Sequence, residues 1–497
     1  MMGWLTLLVF SPLIGMLLLA MTPTNNTRIL NIAAVSSTVL PLILSFLVYA
    51  QFQGGAELGV SSDWISFGQG QLQFLVDFEL GVGGFSVILI LLTTIISTLA
   101  AVAATYQIQH SQKAFFLWFL LLEMGMLGVF SAENLVLFFI FFEITLVPMF
   151  FLIGRWGYVE RENAAYSFLI YNGLGSAVLL LVIVALFAKT GTTNIDALKE
   201  IMSSDFQNAG AISEEFRFGA LLALLVAFGV KLPIVPLHTW MLKVHVHAPP
   251  AVVMIHAGIL LKIGAYGLIN FGIGMFGEQF EQIAPFIAVL GLINLLYGAF
   301  LAFVQTELKS VFAYSSVSHM GIVLLGLAAM NEAGIQGAMF QTISHGLIAA
   351  LLFFLVGIIY ARTRTTRLSQ LGGLAHGMPI TAGLLLAAAM ASLGLPGMSG
   401  FVSEFMAFLG LFETMPILAA IGTLGIILTA VYLLRAVLSV TFGAARQTAD
   451  MKMDIHYKEL LPAVTLLALI ILIGIYPGVM TATIKFSIET IMIGLGG

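Results

Sequence analysis

There is no cysteine anywhere in the 497 residues. Disulfides are excluded, and so is any iron–sulfur cluster or thiolate metal site carried by this chain. Any redox chemistry would have to happen elsewhere, and no cofactor is expected on this chain. Charge is nearly as scarce: 9% of the residues are Asp, Glu, Lys or Arg, against roughly 25% in an ordinary globular chain. The net charge of −5 is dispersed, and with no basic run there is no footprint for nucleic acid. The connection from 52 to 81 has no Lys or Arg at all, and no segment reads as a soluble domain.

What is there is apolar: 60% hydrophobic residues and a mean hydropathy of +1.07. Crossing a hydrocarbon core of about 30 Å takes roughly 20 residues. Fourteen runs meet that length, near 3–22, 29–51, 82–106, 114–131, 134–154, 165–188, 218–240, 249–272, 283–304, 310–330, 334–360, 379–410, 416–442 and 460–480. The fold class is therefore an all-α polytopic membrane protein of about 14 helices. The first twenty residues lack a basic leading region and a small-residue cleavage site, so they read as a retained span.

Lys and Arg concentrate in cytoplasmic connections. With the N-terminus outside, the inner loops hold Arg28, Lys113, Arg155, Arg161, Lys243, Lys309, Arg362, Arg364, Arg367, Arg446, Lys452 and Lys458, and the outer segments only Lys189, Lys199, Arg217 and Lys485. Twelve against four predicts both termini on the outer face of a cell's inner, cytoplasmic membrane. The partial alternation in QLQFLVDFEL, with Trp64, Phe67 and Phe74 nearby, predicts a short outer β-hairpin within 52–81.

Ionisable residues inside spans each cost about 2.5 to 3.5 kcal/mol even on lenient scales, yet this chain places Glu123, Glu143, Lys231, Lys262, His319, His345, Glu404 and Arg435 there. Lys231, in FGVKLPIVPLHTW, stands fourteen residues past Arg217, roughly 21 Å into the membrane at 1.5 Å per residue. Pro233 and Pro236 lack the N–H and clash with the preceding turn, so the helix should break beside the lysine. A second interruption comes at LGLPGMSGFVSEF, where Gly394, Pro396, Gly397 and Gly400 precede Glu404. Two interrupted segments in corresponding halves point to an inverted-repeat transporter with its path at the breaks.

An unpaired carboxylate at Glu143 would take up a proton, whereas beside a lysine both could stay charged. That motivates Glu143 and Lys231 as a coupled pair, with a static interhelical salt bridge as the bland alternative. Lys262 in AGILLKIGAYGL and the two histidines at similar depth, His319 and His345, complete a series of proton-exchanging groups. Glu123 and Arg435 are secondary candidates, pairing with each other or with a neighbouring subunit. His256, six residues from Lys262 and so on another helical face, reads as structural. GIGMFG at 272–277 matches a dinucleotide pattern but ends a membrane helix, so no nucleotide site follows.

FFEITLVPMFFLIGRWG, FGVKLPIVPLHTW, LLKIGAYGL, SSVSHMG, ISHGL and LPGMSGFVSEF together resemble the antiporter-like membrane subunits of respiratory complex I, NADH-quinone oxidoreductase. The Glu143 block favours the branch of subunit M and its mitochondrial counterpart, subunit 4, over the sister subunits L and N. The short remainder after the last span agrees, since it leaves no room for a long lateral helix. The family also includes Mrp-type antiporter subunits.

The resemblance implies a proton-translocating subunit with two inverted five-helix repeats, one broken helix in each, coupled to quinone reduction in partners. It divides the chain into 1–112 (three spans and the hairpin), 113–274 (first repeat), 283–446 (second repeat) and 447–497 (last span and C-terminus). It implies Glu143 and Lys231 as a tunable ion pair, Lys262 and His319 as the central relay, His345 as a connector and Glu404 as the distal proton site. Partners would be the other membrane and peripheral subunits, the sister antiporter-like subunits among them, within the lipid bilayer. Departures stand at Gly83, where an aspartate is usual, at Leu242 and Lys243 in place of Pro-Asp, and at His247 in place of a glutamate. Two other readings stay open: a cation/proton antiporter subunit of the Mrp type, and a passive scaffold whose buried charges only bind helices together.

Overall fold

A computed structural model describes residues 3–23, 26–56, 58–67, 74–202, 212–444 and 454–494. Arg446 and Lys452 of the inner-loop count, and the QLQ of the QLQFLVDFEL stretch, lie outside the described residues. Helices α1 (Trp4–Met21) and α2 (Thr27–Gln53) lead into the expected hairpin, β1 (Val60–Phe67) paired antiparallel with β2 (Phe74–Leu80) and bulged between Asp63 and Ile65. Then come α3 (Gly84–Gln107), α4 (Gln112–Ser131), α5 (Leu135–Trp156), α6 (Arg161–Thr190) and a short α7 (Ile195–Met202). After them α8 (Glu214–Lys231) and α9 (Thr239–His247) flank the first break.

A continuous stretch follows: α10 (Pro250–Ile255), a π turn at His256–Leu260, α11 (Lys262–Gly267), a second π turn at Leu268–Ile273 and α12 (Gly274–Val304). The remainder is helical: α13 (Leu308–Ala328), α14 (Glu332–Thr363), α15 (Leu374–Gly377), α16 (Pro379–Ser392), α17 (Ser399–Thr414), α18 (Pro416–Thr441), α19 (Tyr457–Ile475) and α20 (Gly478–Gly494).

Eleven helices among the described residues are long and apolar enough to cross a membrane, three fewer than expected. Two of the three are the interrupted segments, each divided into pieces that do not qualify. The third vanishes because two expected spans run on as one apolar stretch of 55 residues, Pro250–Val304. At 1.5 Å per residue that stretch is roughly 80 Å long, more than twice the hydrocarbon thickness, and it bends at Phe276, whose φ of −129° and ψ of 43° leave the helical region. The chain is a multi-pass integral membrane protein. The GIGMFG residues form the second π turn and the start of α12, with no strand before them.

Helix α14 has no polar side turned to the surface and lies almost wholly inside the protein. It packs on α3, α10, α13, α16, α17, α19 and α20. It also comes close to the first π turn, where a Cβ on Gly346 would stand 2.7 Å from the Gly258 carbonyl oxygen and one on Gly258 would be 3.3 Å from that of Gly346. Two glycines facing each other let these backbones come together, which brings the neighbouring residues His345 and Lys262 within reach.

The first break is supported by a residue that the spans gave no reason to single out. Asn294 of α12 accepts the Val235 N–H at 2.7 Å and donates to the Pro233 carbonyl at 3.2 Å, while Trp240 Nε1 donates to the Val230 carbonyl at 3.1 Å. Backbone groups freed at membrane depth need such partners because lipid offers none. Asn294→Leu is expected to leave both groups unpaired and to destabilise the fold by about 2 to 6 kcal/mol, at about 1 to 3 kcal/mol per orphan. The check is the temperature at which detergent-solubilised protein loses its monodisperse peak. Asn294→Asp, which still accepts from Val235, should recover part of the loss.

Candidate functional site

Lys231 ends α8 because Pro233 and Pro236 stop the helix there, and its side chain is 2% exposed. Its Nζ lies 4.7 Å from the centre of the Phe142 ring and 5.6 Å from that of Phe168, a geometry in which aromatic faces stabilise a cation by about 0.5 to 2 kcal/mol. Glu143 follows Phe142 on α5 and is close enough to act on the Lys231 charge. The two do not form a closed salt bridge: Glu143 Oε1 is buried without a hydrogen-bond partner. The expected pair is thus a separated one, with the Phe142 ring against the lysine where a carboxylate was expected.

Across the molecule the ionisable groups do meet. Lys262, fully buried, places Nζ 2.8 Å from the Ala257 carbonyl and 2.6 Å from His345 Nδ1. The π turn just before it is what turns the Ala257 carbonyl toward the lysine, and such widened turns recur at functional sites. The His345 ring centre is 5.5 Å from that of His319. His319 Nδ1 lies 3.4 Å from Glu404 Oε1 and 3.2 Å from Gln341 Nε2, and its Nε2 is 3.1 Å from Ser392 Oγ. Gln341 in turn accepts from Ser403 Oγ. The order is Lys262, His345, His319, Glu404, with His345 standing between the two groups expected to form the centre.

Glu404 is held at the second break. Helix α16 ends at Ser392 and α17 starts at Ser399, and Gly394 between them has a φ of +78°. A Cβ at Gly394 would lie 2.7 Å from Glu404 Oε2, so both the left-handed backbone and the approach of the carboxylate require glycine there. Pro396 sits at the turn, as Pro233 and Pro236 sit at the first break.

The secondary candidates are not brought together. Glu123 is fully buried in α4 and neither carboxylate oxygen has a hydrogen-bond partner. Arg435 is exposed on α18, donating to the Phe303 carbonyl with its guanidinium 4.8 Å from the Phe303 ring centre. One lies deep among helices and the other on the outer surface of the bundle, so they cannot pair within one chain. Lys309, counted with the loop cations, is buried: it donates to the Val246 carbonyl at 3.2 Å and stands 4.0 Å from the Tyr158 ring centre.

His256 does not behave as an isolated structural histidine. Its Nδ1 is 2.9 Å from Nε2 of His245, a residue that sequence reasoning passed over. A partly buried bidentate pair of Arg362 with Glu459 was likewise not foreseen, with Nη1 2.8 Å from Oε1. At the end of the bundle that carries the hairpin, Glu133 sits outside the spans between α4 and α5. Burial, then the nearby Asp196 and Glu79 charges, push its carboxyl up to about 7, with Lys199 opposing. The side chains of Asn134 and Asn194 hold Glu79 there, at 3.2 and 2.9 Å.

The family model for the transmembrane region of NADH:quinone oxidoreductase and Mrp antiporters matches residues 132–429, which contain every residue from Glu143 to Glu404 named above. The chain is 40% identical over 504 residues to an NAD(P)H-quinone oxidoreductase chain 4 of Thermosynechococcus vestitus, covering 97% of this chain and 90% of the relative. It is 36% identical over 503 residues to NADH-quinone oxidoreductase subunit M of Rhodobacter capsulatus, covering 98% and 96%. Among solved structures it superimposes on a chain of respiratory complex I from Thermus thermophilus with bound NADH, with a TM-score of 0.86, 27% identity and coverage of 99% and 100%. The chain belongs to the NADH:quinone oxidoreductase/Mrp antiporter transmembrane family, on its subunit M (chain 4) branch.

Proposed function

We propose that this chain is a proton-translocating subunit in the membrane arm of an NADH-quinone oxidoreductase, moving protons along its buried side chains while quinone is reduced in partner subunits. One observation carries the reading: Lys262, His345, His319 and Glu404 succeed one another through the core with a 2.6 Å contact at one end and a 3.4 Å contact at the other. Buried groups spaced like this hand on a proton by exchange between neighbours, as histidine does near neutral pH. A scaffold gains nothing from the arrangement, since buried charges replaced by apolar residues are often neutral or stabilising.

In this reading Lys231 holds a proton at the first break and Glu143 controls it. As the carboxylate approaches, the ammonium is compensated; as it withdraws, the desolvation cost stands alone and the proton moves on. Lys262 receives it, His345 and His319 conduct it, and Glu404 passes it on at the second break. The two halves, 113–274 and 283–446, each contribute one break, with 1–112 and 447–497 outside them. The lysine and arginine bias favours both termini on the outer face of the cytoplasmic membrane. The oxidation and reduction steps belong to partner subunits, and this chain contributes the proton path of the translocase.

Isolation of the tagged chain in mild detergent tests the assignment. Flavin-bearing and iron–sulfur subunits together with sister antiporter-like subunits are expected to accompany it in stoichiometric amounts. Recovery with cation/proton antiporter subunits alone, and no flavin in the preparation, would overturn the assignment in favour of the Mrp reading.

A further inference from the structure

The line from Lys262 to Glu404 is continuous, but nothing described so far joins it to Lys231. The two lysines belong to different helices. The π segment and α11 press against the end of α8 so tightly that a Cβ on Gly264 would stand 2.5 Å from the Leu232 nitrogen. On the first π turn His256 pairs with His245 of α9, both fully buried and joined at 2.9 Å.

Each ring keeps one nitrogen without a partner, His245 Nδ1 and His256 Nε2. Orphaned polar atoms at full burial are uncommon and ask for an explanation. Their placement supplies one. His256 has ring-to-ring contacts with Phe168, at 6.1 Å between centres, and with Trp240, at 5.3 Å; Phe168 is the ring whose centre lies 5.6 Å from Lys231 Nζ. Trp240 cannot carry a proton onward, because its N–H is committed to the Val230 carbonyl. His256 lies within electrostatic reach of both Lys231 and Lys262. His245 lies within reach of Lys262 and His345.

We propose that His245 and His256 form a side-chain bridge that transfers protons between Lys231 and the Lys262 line; this rests on the relay reading above. A proton leaving the Lys231 ammonium arrives on His256 Nε2, and the proton shared across the 2.9 Å contact moves from His256 Nδ1 to His245 Nε2. His245 then releases its Nδ1 proton toward Lys262. One proton enters, one leaves and no electrons move. Both rings end in the opposite tautomer, so each transfer has to be followed by a reset of the pair. That reset makes the bridge a one-proton step that cannot run ahead of the lysines on either side.

The test uses the assembled complex in vesicles, with protons moved per quinone reduced as the readout and Lys262→Met run in parallel. His256→Gln keeps a polar group against His245 but cannot accept a proton on one atom and release one from another. It is expected to lower the proton-to-quinone ratio about tenfold, to nearly the same degree as His256→Leu, with added imidazole restoring transfer in His256→Gly. A purely structural histidine predicts that Gln is much better tolerated than Leu and that imidazole does nothing. If His256→Gln pumps like the unmodified complex while Lys262→Met does not, the bridge is wrong and the relay stands. If Lys262→Met pumps as well, the relay itself is wrong.

Discussion

Replacing Lys262 by methionine is expected to stop proton movement through the chain while leaving it folded and assembled. The lysine is fully buried, its ammonium nitrogen held by the Ala257 carbonyl at 2.8 Å and by His345 Nδ1 at 2.6 Å. Methionine fills nearly the same space without a titratable group. On the stability side two effects oppose each other. Removing an ionisable group from the membrane interior relieves about 2.5 to 3.5 kcal/mol, and orphaning two buried acceptors costs about 1 to 3 kcal/mol each. The remainder is small, so loss of function cannot be ascribed to unfolding.

A group that relays a proton contributes about 10²- to 10⁴-fold to the rate of the step it serves. Proton translocation by the reconstituted complex should therefore fall by at least about a hundredfold in Lys262→Met. Quinone reduction should drop less, to the rate of an uncoupled enzyme. Pumping within twofold of the unmodified complex would refute the relay and favour the scaffold reading.

The breaks were legible because proline and glycine act locally. Pro233, Pro236, Gly394 and Pro396 interrupt helices through their own covalent geometry, whatever surrounds them. The intramembrane charges were legible because burial in lipid makes each one expensive, so Lys231, Lys262 and Glu404 stand out without any knowledge of packing. What escaped was set by relations between distant segments. Asn294 looks like one polar residue in an apolar helix, and its value to the first break exists only because α12 runs beside it. His256 was set apart from Lys262 by its helical face, and its partner His245 lies on another helix, α9, so no periodicity along one segment could pair the two. Glu123 and Arg435 were grouped by charge alone, whereas one is enclosed by α4's neighbours and the other lies on the surface of α18. The bend at Phe276 falls between the expected runs 249–272 and 283–304, so that boundary was legible although the apolar stretch Pro250–Val304 runs on through it.

Glu143→Gln and Lys231→Met are each expected to reduce pumping about tenfold or more, and the double variant is expected to be no worse than the more severe single one. The reason lies in how the two residues are held. Lys231 Nζ rests over the Phe142 ring at 4.7 Å, and Glu143, the next residue on α5, has an oxygen buried without a donor. Neither group is satisfied by the other, so the pair has somewhere to go. A modest shift of α5 against α8 would trade the aromatic contact, worth about 0.5 to 2 kcal/mol, for a direct ion pair. Interacting residues give non-additive effects, and the double-mutant cycle measures that coupling directly. Strictly additive losses would mean that Glu143 and Lys231 act on separate steps. A Glu143→Gln complex that pumps normally would reduce the carboxylate to a bystander and leave Lys231 governed by the aromatic rings alone.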